Sequence, residues 1–288
     1  MTYSERFRIA PRSVVDLDRI DPRDTGDVDG KTQATLLLQQ SVERLADLQE
    51  RLFAQDQWSL LVIFQAMDAA GKDGTVKHVL TGMNPRGIRV VSFGAPSKEE
   101  IDHDYLWRTV KALPERGCIA IHNRSHYEEV IATVVHPEIV ERQHLPDPLR
   151  GPALIRRRFR EINRFERYLR DNGTIVLKFF LHVSKHEQWE RLVERMEEPD
   201  KYWKAQAGDL RERLRWPDFM AAYEDVFRHT STAHAPWFVI PANHKWFAWL
   251  AVAEIIAETL AALRLEYPKT PDSVRAEWER AREELRNA

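Results

Sequence analysis

Cysteine is almost absent from this sequence, because Cys118 is the only one among 288 residues. No disulfide can form within one chain, which is typical of proteins in a reducing compartment. No run of about 18 apolar residues is present, so we expect no membrane-spanning helix. Residues 1–6 also lack the apolar run of a signal peptide, and we therefore expect a cytoplasmic protein.

An excess of charge of one sign is also missing. The chain has 43 Lys and Arg residues against 45 Asp and Glu residues, so its formal net charge is −2. No global field of the kind that attracts nucleic acid or a membrane surface results, and we expect neither as a partner. Charged residues still make up 31% of the chain, which leaves room for strong local patches.

Apolar strands alternate with helical patterns along the chain. Five apolar runs have the length of buried strands, at about 60–64, 88–93, 118–122, 174–183 and 237–240. This alternation predicts an α/β fold of three layers (α/β/α) around a central five-stranded parallel sheet. We expect one domain over 1–288, with an irregular N-terminal arm at 1–30 and a C-terminal helix at 268–288.

A phosphate-binding loop is predicted where the first strand ends. The sequence Gln-Ala-Met-Asp-Ala-Ala-Gly-Lys-Asp-Gly-Thr occupies residues 65–75, and a helical pattern follows it. Small residues let the backbone approach an anion closely, and the free N–H groups at a helix start favour negative charge. Lys72 adds a full positive charge on a flexible stem. This context is the one that a phosphate-binding loop needs.

The match to the usual phosphate-loop pattern is imperfect. Ala66 stands in place of the first glycine, Asp73 in place of the magnesium-binding Ser or Thr, and Thr75 lies two residues further on. An ordinary strand-to-helix turn is therefore an open alternative. The carboxylates of Asp68 and Asp73 favour the functional interpretation, because they would repel a phosphate unless a hard cation such as Mg²⁺ lay between them.

A second polar cluster follows the third strand. Asn123 and Arg124 stand there, and in a parallel sheet they would share the edge of the phosphate-binding loop. Phosphoryl-transfer enzymes normally place a metal-binding carboxylate at this position, whereas Asn123 offers a neutral oxygen. Arg124 could bind phosphate oxygens bidentately. The alternative is a structural arginine that pairs with Glu128 or Glu129.

Residues 191–215 are crowded with cations and are predicted to form a lid, with bounds of about 191–217. Such a segment could close over a phosphate site and exclude water. The alternative is a solvated helical hairpin. A second basic stretch, the helix predicted over 153–172, could line a channel for a long anion, or could be a solvated face that also carries Glu161 and Glu166. The lid cations are Arg191, Arg195, Lys201, Lys204, Arg211, Arg213 and Arg215.

Several separate motifs together resemble polyphosphate kinase family 2 over roughly residues 30–265. The resemblance implies a P-loop kinase core of the thymidylate-kinase type with a helical lid. Members of this family move a terminal phosphate between inorganic polyphosphate and nucleotides, with Mg²⁺ or Mn²⁺, and assemble as dimers or tetramers. The motifs are Gln65–Thr75, Asp104–Arg108, Asn123–Glu128, Lys178–His182, Asp200–Lys204, Ala235–Trp237 and Ile240–Trp246.

The resemblance also implies roles for individual residues. Asp68 would help to hold the metal, Lys72 would contact the transferred phosphate, and Arg124 would bind phosphate near the acceptor. Polyphosphate-binding residues would be Ala70, Gly71, Lys72, Asp73, Gly74, Thr75, Lys77, Arg191, Arg195, Lys201 and Lys204. Nucleotide-binding residues would be Asn123, Arg124, Tyr127 and Glu128.

Our hypothesis is a polyphosphate:nucleotide phosphotransferase that makes ATP from ADP, with ADP, ATP and polyphosphate as its ligands. The segment Asn123–Glu128 resembles the subgroup that phosphorylates AMP as well as ADP. Two alternatives stay open from the residues alone. One is an ATP-dependent kinase of a nucleotide or small molecule on the same core, and the other is a protein that only binds a nucleotide.

Overall fold

The computed structural model describes residues 1–287 and contains one sheet of five strands. All neighbouring strands are parallel, and their spatial order is β2-β3-β1-β4-β5. The predicted five-stranded parallel sheet is therefore confirmed. The strands are β1 (Ser59–Gln65), β2 (Ile88–Ser92), β3 (Ile119–Asn123), β4 (Thr174–His182) and β5 (Trp237–Pro241).

Strand β1 lies at the centre of the sheet because its residues 60–64 are all apolar and can be covered on both faces. All seven of its residues are buried, and it pairs with β3 on one side and with β4 on the other. Leu60, Val62 and Phe64 belong to the core on one face, whereas Leu61 and Ile63 belong to the core on the other. Alternate side chains of one strand thus join two separate hydrophobic layers.

Helices cover both faces, as the three-layer prediction requires. One face carries the helices that begin at Gly30, Lys72 and Lys245, and the other carries those that begin at Leu154 and Trp216. The helices are α1 (Tyr3–Phe7), α2 (Gly30–Gln55), α3 (Lys72–Val79), α4 (Lys98–Ile101), α5 (Trp107–Lys111), α6 (Ala132–Val135), α7 (Glu138–Glu141), α8 (Leu154–Asp171), α9 (Lys185–Glu197), α10 (Ala207–Leu214), α11 (Trp216–Thr230), α12 (Lys245–Ala262) and α13 (Asp272–Asn287).

The N-terminal arm is more ordered than the sequence predicted. Glu258 of α12 accepts hydrogen bonds from the backbone N–H groups of Tyr3 and Ser4, at 2.9 Å each, so the start of α1 is fixed to the body of the protein. Arg8 then forms an antiparallel bridge with Phe238 of β5. The arm covers one edge of the sheet and so protects it from pairing with another chain.

The segment predicted as a lid follows β4 and α9. It continues as a 3₁₀ turn, Pro199–Lys204, and then as α10, and neither element contains a buried residue. The C-terminal helix α13 likewise contains no buried residue. In residues 1–287, no helix is both long enough and apolar enough to cross a membrane.

Candidate active site

A cavity of about 360 Å³ lies at the carboxyl ends of β1 and β3. Phe64 pairs with Asn123 in the register of these two strands, so the loops that follow them leave the sheet side by side. The lid segment forms the opposite wall. The lining residues are Asp68, Ala69, Ala70, Gly71, Lys72, Asp73, Gly74, Ser92, Phe93, Asn123, Arg124, Arg195, Trp203, Lys204, Gln206 and Asp209.

The loop after β1 presents free backbone donors to this cavity. Ala69 and Gly71 have φ angles of 63° and 105°, in the left-handed region, which turns the chain sharply into α3. Among the described residues, the N–H groups of Gly71 to Gly74 donate to no protein group. Four free N–H groups at the start of a helix are the donors that the predicted phosphate-binding loop requires.

Lys72 is held within the same loop. Its Nζ donates to the carbonyl oxygens of Ala66 at 2.9 Å and Met67 at 3.3 Å. Burial lowers the pKa of Lys72 from its ordinary value, and the negative charge of Asp68 opposes this shift. The ammonium group is therefore placed before any phosphate arrives, and little side-chain freedom remains to be lost on binding.

Asp68 and Arg124 join the two loops. Arg124 Nη2 donates to Asp68 Oδ1 at 2.6 Å, and the backbone of Arg124 has a φ of 62°. Burial would lower the pKa of Arg124, but Asp68 and Glu128 more than offset this effect, so the pKa is raised. Burial raises the pKa of Glu128, and Arg124 opposes that shift. With its amide turned to satisfy both neighbours, Gln65 donates to Glu128 at 3.0 Å.

A second contact between the loops involves Asn123 and Asp73. Asn123 Nδ2 donates to Asp73 Oδ1 at 2.5 Å. Asn123 Oδ1 is buried and has no hydrogen-bond partner in the described part of the chain. The amide thus holds the carboxylate in the first turn of α3 and keeps an acceptor oxygen free.

The lid contributes groups of both signs to the cavity. Arg195 of α9 and Asp209 of α10 are 3.2 Å apart and tie these helices together. Asp209 lines the same cavity as Asp68, and burial together with the charge of Asp68 raises the pKa of Asp209. Trp203 and Lys204 complete this wall.

The charges that line the cavity almost cancel. Its four cations are Lys72, Arg124, Arg195 and Lys204, and its three carboxylates are Asp68, Asp73 and Asp209. No group of three or more His, Cys, Asp or Glu side chains in residues 1–287 could hold a metal alone. The hard oxygens of Asp68 and Asp73 fit Mg²⁺, which commonly uses one or two carboxylates and completes its shell with water and substrate phosphates.

Arg191 is not placed as the sequence predicted. Its guanidinium donates to the carbonyl oxygens of Ala70 at 2.8 Å and Ala242 at 2.7 Å, and also to those of Ala69 and Asn243. It therefore fastens the phosphate-binding loop to the segment after β5 and does not line the cavity. This placement corrects the prediction that Arg191 binds the polyphosphate chain.

Tyr127 also lies away from the cavity. Its side chain is fully buried, and its hydroxyl donates to Glu166 at 2.7 Å and accepts from Lys178 at 2.9 Å. A short 3₁₀ turn, His126–Glu129, carries the ring into the core between β4 and α8. Such a residue cannot contact a nucleotide in this conformation, which corrects its predicted role. Glu128 does not line the cavity either, although its charge interacts with Arg124.

Three further residues that were predicted to bind phosphate do not line the cavity. The hydroxyl of Thr75 is buried and donates to the Gly71 carbonyl at 3.1 Å. Lys77 is exposed on α3 and is not part of the cavity lining. Lys201 pairs with Glu194 and Glu198. The placement of Thr75 corrects its prediction. Lys77 and Lys201 lie outside the cavity, and their contact with a longer phosphate chain stays a prediction.

The sequence model of the family described as polyphosphate kinase 2 (PPK2) matches residues 29–268. This chain belongs to that family. The resemblance inferred from the separate motifs, and with it the predicted enzyme class, is thereby confirmed. The family assignment replaces the two alternative functions, an ATP-dependent kinase of a nucleotide or small molecule and a protein that only binds a nucleotide.

Individual PPK2 relatives agree with this assignment over nearly the whole chain. The ADP-polyphosphate phosphotransferase of Rhodopseudomonas palustris is 44% identical and covers 98% of each chain. The AMP/ADP-polyphosphate phosphotransferase of Meiothermus ruber is 45% identical, over 92% of this chain and 96% of the relative. The crystal structure of polyphosphate kinase 2 from Arthrobacter aurescens TC1 superimposes with a TM-score of 0.88 at 39% identity, over 97% of each chain.

Sequence reasoning about this PPK2 chain missed part of the cavity wall. It considered only the cations of the lid, so Trp203, Gln206 and Asp209 were not selected. The signal for Asp209 was available, because an acid within a basic lid needs a partner, and Arg195 is that partner. Ser92 is the last residue of β2 and Phe93 follows it, so both lie at the same edge of the sheet as the cavity. The parallel topology alone could have indicated that they line it.

Proposed function

We propose that this chain transfers the terminal phosphate of inorganic polyphosphate to ADP, forming ATP, and that it also phosphorylates AMP. The observation that carries the proposal is the single cavity between a phosphate-binding loop and a basic lid. The names of the relatives from Rhodopseudomonas palustris and Meiothermus ruber support ADP as acceptor, and the latter supports AMP as well. The reaction would be reversible, because a phosphoanhydride bond is broken and another is formed.

The proposed chemical step is an in-line displacement without a covalent enzyme intermediate. A terminal oxygen of the nucleotide attacks the terminal phosphorus of polyphosphate, and the bond from that phosphorus to its bridging oxygen breaks. The shortened polyphosphate leaves with the electron pair. Lys72 and the N–H groups of Gly71 to Gly74 neutralise charge on the transferred group, and Arg124 holds the acceptor phosphate. Little bond chemistry falls to the protein, so positioning and charge carry catalysis.

The lid would hold the remainder of the polyphosphate chain. Arg195 and Lys204 line the cavity opposite the loop, and Arg195 is oriented by Asp209. Closure of this wall would exclude water and so prevent hydrolysis in place of transfer.

A magnesium ion, or a manganese ion in its place, is part of this proposal. Two phosphate-bearing substrates bring several negative charges into a cavity whose own cations outnumber its carboxylates by only one. Asp68 would hold the ion, with Asp73 beside it, since both present hard oxygens to the cavity. The ion would neutralise phosphate charge that the protein's cations leave uncompensated.

The testing experiment measures nucleotide products from long-chain polyphosphate and Mg²⁺, with ADP and AMP offered in separate reactions. We expect ATP from ADP, and ADP followed by ATP from AMP. Product from ADP alone would remove AMP from the proposal. No product from either acceptor, with folded protein and Mn²⁺ also tried, would overturn the proposed reaction. The Lys72→Ala variant, which lacks the loop cation, serves as the control for contaminating kinases.

We also propose that the chain assembles as a homo-oligomer through α13. Val274, Trp278 and Leu285 recur at helical spacing on one stripe, and Trp278 and Leu285 are 59% and 80% exposed. A second copy of this helix would cover such a stripe. Light scattering of the Trp278→Glu variant should show a smaller particle, whereas Glu283→Ala on the opposite face should not. An unchanged mass for Trp278→Glu would exclude α13 as the interface.

A further inference from the structure

An unpaired row of arginines runs along the outer face of α8. The row consists of Arg156, Arg160, Arg164 and Arg167, whose spacing of four, four and three residues places them on one side of the helix. All four are exposed, and within residues 1–287 none forms an ion pair. At the rise of an α-helix the row is about 17 Å long. We call it the arginine row.

The acids of α8 do not neutralise the arginine row. Glu161 accepts a hydrogen bond from the Tyr105 hydroxyl at 3.1 Å and lies 3.5 Å from Arg157, which is not part of the row. Glu166 is fully buried and pairs with Lys178 at 2.7 Å. These two acids thus have partners on other sides of the helix. The third acid of α8, Asp171, lies four residues from Arg167 but forms no ion pair with it. Within the described chain, the arginine row therefore carries charge of one sign without an ion-paired acid.

The row leads into an open groove of about 830 Å³ at the other end of the sheet. This groove lies where β1 and β4 begin, opposite the edge that carries the active-site cavity. Arg116, Arg167 and Arg170 line it, and Asp171 is the one acid among its lining residues. Because Arg167 belongs to both features, the row and the groove form one continuous basic surface.

Helix α8 runs from the end of the sheet where the strands finish, which carries the active-site cavity, to the end where they begin. Near its start, Arg158 donates to the Glu129 carbonyl at 2.9 Å, in the turn that follows Asn123 of β3. Its end leads directly through Gly173 into the start of β4. The arginine row therefore extends from the active-site side of the molecule toward the groove on the opposite side.

We propose that the arginine row and the groove bind a distal stretch of a long inorganic polyphosphate chain whose end occupies the active-site cavity. The ligand assignment rests on the proposed function, and the surface itself is separate from the cavity. An extended chain with charge along its whole length matches a row of arginines that have no acidic partners. The surface would favour long chains over short ones by adding contacts that short chains cannot reach.

The groove is better suited to polyphosphate than to a single-stranded nucleic acid. Proteins that bind single strands offer free aromatic rings on which bases stack. The indole ring of Trp58 lines this groove, but the guanidinium of Arg170 lies over it at 5.4 Å from the ring centroid. Tyr168 of α8 is 64% exposed beside the row, but it does not line the groove. One exposed ring is not a series of stacking positions, whereas a phosphate chain needs only the guanidinium groups.

The first test uses the triple variant Arg160→Gln/Arg164→Gln/Arg167→Gln. Each exposed charge contact contributes a factor of about two to five, and three such factors multiply, so we expect KM for long-chain polyphosphate to rise about ten- to a hundredfold. The kcat, and KM for chains of a few phosphates, should stay as in the wild type. The matched control neutralises three exposed arginines outside α8 and α13 in the variant Arg23→Gln/Arg86→Gln/Arg142→Gln. An unchanged KM for long chains, or an equal rise for short ones, would overturn the proposal.

The second test measures binding without turnover, so that it stays decisive even if the proposed reaction is wrong. Fluorescent long-chain polyphosphate is titrated into the wild type and into both triple variants at several salt concentrations. We expect weaker binding and a shallower salt dependence only for the α8 variant, because it would release fewer counterions. Equal binding by all three proteins overturns the proposal. Stronger competition by single-stranded RNA than by unlabelled polyphosphate would instead assign the surface to nucleic acid.

Discussion

Arg124 and Asp68 form an ion pair of 2.6 Å that joins the loops after β3 and β1. The predicted phosphate-binding cation and the predicted metal-binding carboxylate therefore satisfy each other in the free protein. A phosphate arriving at Arg124 competes with Asp68, and a cation arriving at Asp68 competes with Arg124. Substrate and metal are thus expected to bind together, since each one replaces the partner that the other takes away.

The Asp68→Asn variant should lose metal-dependent activity but keep its fold. The amide oxygen can still accept from Arg124, whereas the negative charge is gone. We expect kcat/KM to fall by about 10²–10³ and the Mg²⁺ concentration for half-maximal rate to rise. Titration of the rate with Mg²⁺ measures both effects. Asp147→Asn, at a side chain that is 99% exposed, is the control, and an unchanged Mg²⁺ dependence of Asp68→Asn would argue against Asp68 as a ligand.

The Lys72→Ala variant should lose turnover by a factor of about 10³ or more, because no other group of the loop carries a full positive charge next to the transferred phosphate. Lys77→Ala removes a lysine side chain from the same helix, five residues further on in α3, where it is exposed and outside the cavity. Its rate should be that of the wild type. Steady-state kinetics and thermal unfolding of both variants make the comparison, and a near-normal rate for Lys72→Ala would remove this lysine from the mechanism.

Arg191 and Arg195 are four residues apart on α9 but should respond oppositely to substitution by Gln. Loss of the buried Arg191 guanidinium leaves four carbonyl groups without a donor and should lower the free energy of unfolding by about 3–5 kcal/mol. Arg195→Gln removes a charge from the cavity wall, so it should raise KM for polyphosphate about tenfold and cost about 1 kcal/mol or less. Urea unfolding and kinetics test both. The reverse pattern would restore Arg191 as a substrate ligand.

The alternation of strands and helices was enough to predict the sheet and the edge that carries the site. Because parallel strands end at one edge, the sequence alone places Asp68 and Lys72 after β1 beside Asn123 and Arg124 after β3. The cavity contains all four of these residues. The order and direction of the strands determine where the loops after β1 and β3 begin, and these residues lie at the start of those loops.

Topology does not fix where a long side chain ends. Arg191 and Arg195 are both arginines and lie one helical turn apart on α9. The guanidinium of Arg191 nevertheless donates to backbone carbonyl groups, whereas Arg195 lines the cavity. Tyr127 follows the polar segment after β3 by only three residues, but the 3₁₀ turn rotates its ring into the core, where Lys178 and Glu166 satisfy the hydroxyl. The position of such a side chain depends on tertiary partners more than a hundred residues away or on one local rotation of the backbone. Neither can be recognised in the sequence pattern.

His122, the residue before Asn123, should make the stability of the protein depend on pH. Its ring is fully buried, and Nε2 lies 3.0 Å from the Ala112 carbonyl oxygen, so Nε2 carries the proton of the neutral ring. Nδ1 has no partner within the described chain. Burial lowers the pKa of His122 from 6.5 to about 4, although the bond to Ala112 opposes the shift. A second proton would therefore enter a site that offers it no acceptor.

The sign of the effect follows from which state binds the proton. Between pH 6.5 and about 4 the unfolded chain binds a proton at His122, whereas the folded protein does not. The neutral, buried His122 therefore costs no stability above pH 6.5, and the free energy of unfolding decreases as the pH falls below that value. At pH 5 the loss should be about 2 kcal/mol relative to pH 7. Urea unfolding at both pH values should show this loss in the wild type and in His186→Gln, an exposed control, but a smaller loss in His122→Gln, whose amide can still donate to Ala112. Equal pH dependence in all three proteins would mean that His122 is accessible to protons in the folded state.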